Sequence, residues 1–182
     1  MKRCSWVDLS SPEYIHYHDC EWGVPVYDDK KLFEMLLLES FQAGLSWLTI
    51  LKRRDEFAKA FDNFDVKKIE KYNEQKINEL MQNEKIIRNR LKIQAAVSNA
   101  RAFMQIQKEY GSFSDYLWHW TNGQVIKGDG TAVCSELSDK ISVDLYKKGM
   151  KFVGSVIIYS FLQAVGVIND HQDGCFKNKE CR

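Results

Sequence analysis

Asp28-Asp29-Lys30-Lys31-Leu32-Phe33-Glu34-Met35-Leu36-Leu37-Leu38-Glu39 is the stretch whose reading decides the fold. Asp28-Asp29 supplies an N-cap, because a short carboxylate there can accept from the first free helical amides. Leu32, Leu36 and Glu39 then share one helical face, and almost every neighbouring face is apolar as well. The two prolines, Pro12 and Pro25, both precede this stretch, and from Asp28 onward nothing removes a helical hydrogen bond. After a break at Ala43-Gly44, a second helical run is expected from Ser46 to Phe61. A third starts at Asp65 or Val66, with Ile69, Tyr72, Ile77 and Leu80 at helical spacing. Lys85 to Tyr110 reads as a long helix and Phe113 to Trp118 as a short aromatic one. The glycine-bearing segment from Gly123 to Gly130 reads as a loop. Helix resumes at Ser138 to Lys148 and again at Gly154 to Gly166. No alternating strand pattern of useful length occurs, so the expected fold is all-α, a compact helical bundle.

The chain of 182 residues is 45% hydrophobic, enough for one compact domain or two small lobes sharing a core. A single domain over residues 1–182 is expected, with a central helical lobe at about 65–110. No apolar run reaches the roughly 20 residues needed to cross a bilayer. The start, Met1-Lys2-Arg3-Cys4-Ser5-Trp6, has no apolar core of a secretory signal. A cytoplasmic, reducing location is therefore expected, and the five cysteines read first as thiols or metal ligands. The formal charge is only +1, so nucleic-acid binding would need basic residues gathered on one face.

Potential metal ligands gather at the two ends: Cys4, His16, His18 and Cys20 near the start, His171, Cys175 and Cys181 near the finish. Scattered thiols and surface histidines are the plainer reading of any one of them. Taken together, His-x3-Cys at one end and Cys and His at the other favour a Cys2His2 zinc site. Four protein ligands leave no open position for water, so that zinc would be structural. Joining the N- and C-termini, it would remove much chain entropy from the unfolded state.

Glu39 follows three leucines, and burying an unpaired carboxylate costs several kcal/mol. A salt bridge to a neighbouring Arg or Lys is one reading. A ligand-facing acid is the other, and Tyr14, Tyr17, Trp22 and Trp47 around this helix favour it. A carboxylate among aromatic faces suits a cationic, planar ligand. Trp6, Trp118 and Trp120 read as core aromatics. Lys147-Lys148-Gly149-Met150-Lys151-Phe152-Val153-Gly154 reads as a tight helix-hairpin-helix turn. The amides opening the second helix, with three lysines around them, would seat a phosphate.

Several segments together resemble the 3-methyladenine DNA glycosylase I family, within the helix-hairpin-helix glycosylase superfamily. They are Arg3-Cys4-Ser5-Trp6, Tyr17-His18-Asp19-Cys20-Glu21-Trp22-Gly23-Val24-Pro25, Leu32-Phe33-Glu34-Met35 and Gln42-Ala43-Gly44-Leu45-Ser46-Trp47. Ile86-Ile87-Arg88-Asn89-Arg90, Asn99-Ala100-Arg101-Ala102, Lys151-Phe152-Val153-Gly154 and Asn169-Asp170-His171 complete the match, which runs from Arg3 to Cys175. The resemblance implies that Cys4, His18, His171 and Cys175 hold the zinc, leaving Cys20 and Cys181 as free thiols. It implies that Glu39, Tyr17 and Trp47 line the base pocket, with Trp22 and Tyr14 in or near its wall. Leu45, at the tip of the Gly44-Leu45 turn, becomes the wedge that fills the gap left by a flipped lesion. Gly44, Leu45, Gly149, Lys151 and Gly154 become DNA contacts. The segment from Gly128 to Ser138 matches nothing in the pattern.

The implied activity is monofunctional excision of alkylated bases, chiefly 3-methyladenine, from double-stranded DNA, with free 3-methyladenine as product. The protein would act as a monomer without membrane association. N3-alkylated adenine is cationic and leaves as a neutral base, so recognition and positioning outweigh acid catalysis. Glu39 is the expected catalytic acid group. Asp170 is its rival, because wider relatives use an aspartate after the hairpin; its place beside His171 argues instead for support of the metal ligand. A non-catalytic lesion-binding protein of the same fold is the alternative, and a zinc hydrolase is disfavoured by the closed ligand set.

Overall fold

The computed structural model describes residues 1–179. Among them are ten α-helices and one two-residue strand pair. Helix α1 (Pro12–Cys20) is one the apolar spacing did not announce. It opens with Pro12 at its first turn and Ser11 accepting from the Tyr14 amide, a local start signal. Helix α2 (Asp29–Gln42) begins where the aspartates placed it, with Asp28 accepting from the Lys31 amide at 2.8 Å. Its residues from Met35 to Phe41 are all buried.

Three of the long helical runs are broken, each by an identifiable group. The run from Ser46 to Phe61 is two helices, α3 (Trp47–Leu51) and α4 (Arg54–Ala60). Arg53 leaves helical geometry between them, and its guanidinium reaches the Glu84 and Lys85 carbonyls, each at 3.2 Å. The next run divides into α5 (Val66–Ile69) and α6 (Glu74–Gln82), where Asn73 captures the Lys76 amide at 3.0 Å. Helix α7 (Arg90–Tyr110) starts five residues late, because Asn83 holds the Lys85 amide and Asn89 the Lys92 amide. Side-chain amides that bind nearby backbone in this way compete with helix. Helices α8 (Phe113–His119), α9 (Glu136–Lys147) and α10 (Ser155–Ala164) lie close to expectation. The loop after α8 carries β1 (Ile126–Lys127), paired in parallel with β2 (Ile168–Asn169), so that Ile126 faces Ile168.

Helix α2 is the central element. It packs on α3, α7, α8 and α10, and its Phe33 meets Phe103 of α7, which stacks on Phe113 of α8 at 4.1 Å. Phe41 meets Phe57 of α4 at 4.9 Å. The end of α2 is held by an unusual cap: buried Lys92 of α7 donates to the Phe41 carbonyl at 2.8 Å and to the Ala43 carbonyl at 2.6 Å. A cation suits those unpaired carbonyls and the negative end of the helix dipole. This cap fixes the exit of the chain into Gly44 and Leu45.

Helices α9 and α10 are joined by a tight turn at 148–154, and α7 clamps it. Buried Asn99 accepts from the Lys151 amide at 2.8 Å and donates to the Lys151 carbonyl at 3.0 Å. Ser142 of α9 donates to the Val153 carbonyl at 2.6 Å. Replacing Asn99 by Ala removes the partners of both backbone groups of Lys151 at once. It should lower the free energy of unfolding by about 1–3 kcal/mol, read as a lower denaturant midpoint at unchanged m-value.

Candidate functional site

A cavity of about 240 Å³ opens where α1, α2, α3, α10 and the segment 130–132 meet. All five residues expected in a base pocket line it: Glu39 from α2, Tyr14 and Tyr17 from α1, Trp22 just beyond α1, and Trp47 at the start of α3. Tyr17 and Trp47 face one another with ring centroids 5.3 Å apart. Trp6, read from sequence as core, belongs to the same wall, 5.3 Å from Tyr14 and 4.8 Å from Trp22. The cavity is also lined by Gln42, Gln163 and residues 130–132, which sequence reasoning missed, and by Asp170, which it weighed as the rival acid. Gln42 lies one helical turn beyond Glu39 and was discoverable from spacing; the loop residues carried no signal of their own.

Glu39 is buried at 3% exposure, and its Oε2 is shielded from solvent without a hydrogen-bond partner. The salt-bridge reading fails among the described residues: Arg54, which lies behind this wall, is held by Glu21 and Glu34 at 2.6–2.9 Å. Burial alone pushes the Glu39 carboxyl up to about 8, so the acid is protonated at neutral pH. Trp47 brings a second buried polar atom without a partner, its Nε1. An acid and an indole donor left unsatisfied beside one cavity are groups that a ligand would satisfy.

Behind the aromatic wall the two chain ends converge. The Sγ atoms of Cys4 and Cys175 and a ring nitrogen of His18 all lie within 4.8 Å of one another, and all three residues are buried. His18 Nε2 is 3.4 Å from Cys175 Sγ, while Asp19 sits 2.7 Å from Nδ1 and is itself gripped by Arg3. Asp19 is thus the carboxylate that orients His18, a role sequence spacing did not reveal. His171 stands edge-on to His18 with ring centroids 5.2 Å apart, and its Nδ1 lies 2.8 Å from Asn169 Oδ1. The Cys4 thiol is pushed up to about 12, chiefly by burial. Such a pair of buried thiols beside imidazole ionises only around a cation. His16 and Cys20 are exposed and stand apart from this cluster; Cys181 lies outside the described residues.

Asp170, weighed both as a rival acid and as a support for His171, turns its carboxylate toward the cavity wall: it accepts from Gly130 N at 2.6 Å, Gln163 Nε2 at 2.6 Å and Tyr159 OH at 3.0 Å. The expected nucleic-acid contacts divide between two turns. Gly44, at φ +80, takes the left-handed backbone that lets the chain reverse at the end of α2, and Leu45 follows, 39% exposed. In the hairpin Gly149 and Lys151 are exposed and Gly154 is the N-cap of α10. Lys148, counted among the phosphate-facing lysines, is instead tied to Glu109 at 2.8 Å.

The state of Glu39 should be visible in stability. Its folded-state affinity for protons exceeds that of an ordinary glutamate, so folding takes up a proton between about 4.5 and about 8. The parent protein should therefore lose stability as pH rises through that window. Glu39→Gln should remove this loss, making the variant the more stable of the two at pH 9 and narrowing the gap at pH 5. Parallel denaturant titrations across pH check it; a difference independent of pH would show that the acid is not held protonated.

Comparison with known proteins places the chain in a family. The methyladenine glycosylase family model matches residues 6–178. The chain is 46% identical over 180 residues to DNA-3-methyladenine glycosylase 1 of Escherichia coli (strain K12), covering 96% of each sequence. It is 42% identical over 178 residues to DNA-3-methyladenine glycosylase of Haemophilus influenzae, covering 95% of this chain and 96% of that one. The structure of 3-methyladenine DNA glycosylase I from Staphylococcus aureus, which addresses 3-methyladenine recognition, superposes with a TM-score of 0.95 at 36% identity, covering 100% of this chain and 99% of that one. The chain belongs to the methyladenine glycosylase family.

Proposed function

We infer that this chain hydrolyses the N-glycosidic bond of 3-methyladenine in DNA, releasing the free base. The observation that carries the inference is Glu39: a buried acid without a partner, facing a cavity walled by Tyr14, Tyr17, Trp22 and Trp47. An N3-alkylated adenine flipped out of the duplex brings a positive charge to this acid and flat faces to the rings. Normal adenine is neutral and gives the carboxyl only a neutral hydrogen bond. Selectivity then arises from charge as well as shape. When the bond from the sugar to the ring nitrogen breaks, its electron pair moves into the ring and the base leaves neutral. Water adds to the sugar carbon and gives up a proton. The ionised Glu39 would favour the cationic sugar electrostatically during that step.

Because the empty pocket holds Glu39 protonated, a cationic base must displace that proton on entry. On methylated DNA, kcat/KM should rise with pH and level off near 8. Glu39→Gln should flatten the profile and lower kcat/KM by about 10- to 100-fold, the equivalent of about 1.5–3 kcal/mol for one charged hydrogen bond. Chromatography of the released base identifies the product. Full activity with an unchanged profile would remove Glu39 from the mechanism.

Zinc is the ion the converging chain ends fit. A tetrahedral site with Zn–S of about 2.3 Å and Zn–N of about 2.0 Å places sulfur and nitrogen ligands roughly 3.5 Å apart. The 3.4 Å between Cys175 Sγ and His18 Nε2 suits that spacing. We assign Cys4, His18 and Cys175 as ligands with His171 as the fourth; bound zinc would hold the thiols ionised and tie residue 4 to residue 175. It would have no role in bond breaking. Elemental analysis should find about one equivalent, and Cys175→Ala should lose the metal and lower the thermal midpoint strongly. Metal-free protein of unchanged stability would refute the assignment.

The hairpin between α9 and α10 is the proposed helix-hairpin-helix contact to the DNA backbone. The N-cap of α10 is Gly154, so no side chain occupies its first amides, and exposed Lys147 and Lys151 lie beside them. Leu45, beyond the Lys92 cap, is the proposed wedge, since Gln42 and Trp47 on either side of it both line the cavity.

A further inference from the structure

We propose that Asp170 is a positioning residue that latches segment 128–132 in place as a selectivity wall of the base pocket. The proposal rests on reading that cavity as the base site. Gly130, Thr131 and Ala132 all line the cavity, although no pattern in the sequence marks this segment as functional. The segment is built with care at both ends. Upstream, β1 pairs with β2, and the Gly128 amide donates to the Asn169 carbonyl at 2.9 Å. Downstream, the Asp129 carboxylate accepts from the Thr131 and Ala132 amides at 2.8 and 2.9 Å, closing a local turn.

Between those two anchors the backbone meets Asp170. One oxygen takes the Gly130 amide at 2.6 Å; the other takes Gln163 at 2.6 Å and Tyr159 at 3.0 Å, both from α10. Gln163 is itself a lining residue, so one carboxylate fixes two walls of the cavity relative to each other. The approach is so close that a Cβ on Gly128 would overlap the carboxylate. Asp170 is 3% exposed, and among the described residues no Arg or Lys pairs with it. A buried carboxylate satisfied only by neutral donors costs stability, and holding a wall gives it a purpose. A wall that swung away would let water reach Glu39 and widen the pocket, weakening the preference for 3-methyladenine over adenine.

The test compares affinities for free 3-methyladenine and adenine, read by tryptophan fluorescence, with kcat and KM on methylated DNA. Asp170→Asn turns one acceptor oxygen into a donor that faces the Gln163 and Tyr159 donors, loosening the latch between the two walls. It should weaken 3-methyladenine binding at least tenfold, shrink its advantage over adenine, and raise KM more than it lowers kcat. Zinc content should be unchanged. Gly128→Ala displaces the same carboxylate from the other side, and the double variant should lose no more than either single one. Ala132→Leu, at a half-buried position, should lower base affinity without touching Asp170, which separates the wall from a general loss of folding. Parent-like affinity in both Asp170→Asn and Ala132→Leu, with Glu39→Gln impaired, would overturn the proposal; so would loss of zinc in Asp170→Asn. If Glu39→Gln also kept parent-like affinity, the reading of the pocket itself would fail.

Discussion

A carboxylate without a partner, enclosed in the middle of the molecule, is the constraint around which this structure is arranged. Glu39 sits on α2, the helix that packs against α3, α7, α8 and α10, and its neighbours from Met35 to Phe41 are buried on every side. The acid therefore meets solvent only through the cavity that it lines, at 3% exposure. The fold must leave it protonated or supply a cation. That choice is chemical information: an empty pocket is neutral, and the positively charged base proposed to enter would convert it to an ion pair in a low-dielectric site, where the interaction is strong.

The aromatic wall of the pocket serves a second structure. Trp6 and Trp22 line the cavity on one side; on the other they meet His18 at 5.3 and 6.2 Å, and Trp22 meets His171 at 4.5 Å. The rings that would stack on a base thus rest on the residues that gather the chain ends. Side chains in contact through shared, close-packed rings move together. Trp6 and Trp22 are thus the side chains that join the Cys4, His18 and Cys175 cluster to the pocket.

The two turns proposed to touch DNA are linked through α7. Lys92, near its start, caps α2 ahead of Gly44 and Leu45; Asn99, two turns along, clamps Lys151 in the hairpin. One continuous helix so links the proposed wedge to the proposed phosphate seat. The 26 basic and 25 acidic residues nearly cancel, so the chain as a whole carries only +1 and offers no strong overall field. The cations are placed at backbone termini and turns, where geometry gives them effect.

Much of this was legible in the sequence, for reasons that are local. The absence of proline after Pro25, the aspartates at 28–29 and the leucines around Glu39 determined a helical core with an acid inside it. Tyr14, Tyr17, Trp22 and Trp47 stand close enough in the chain to Glu39 for their shared site to be expected. Cysteine and histidine at both ends announced a cluster. What the sequence alone could not determine depends on contacts between distant residues. The break at Arg53 is stabilised by carbonyls some thirty residues away, at 84 and 85. Asp170 reads as a neighbour of His171, yet its side chain points to Gly130, Tyr159 and Gln163, because the pairing of β1 with β2 brings the 128–132 backbone against it. A side chain's neighbours along the chain are set by covalent geometry, but its partners across the pocket are set by packing, and only the tertiary structure decides those.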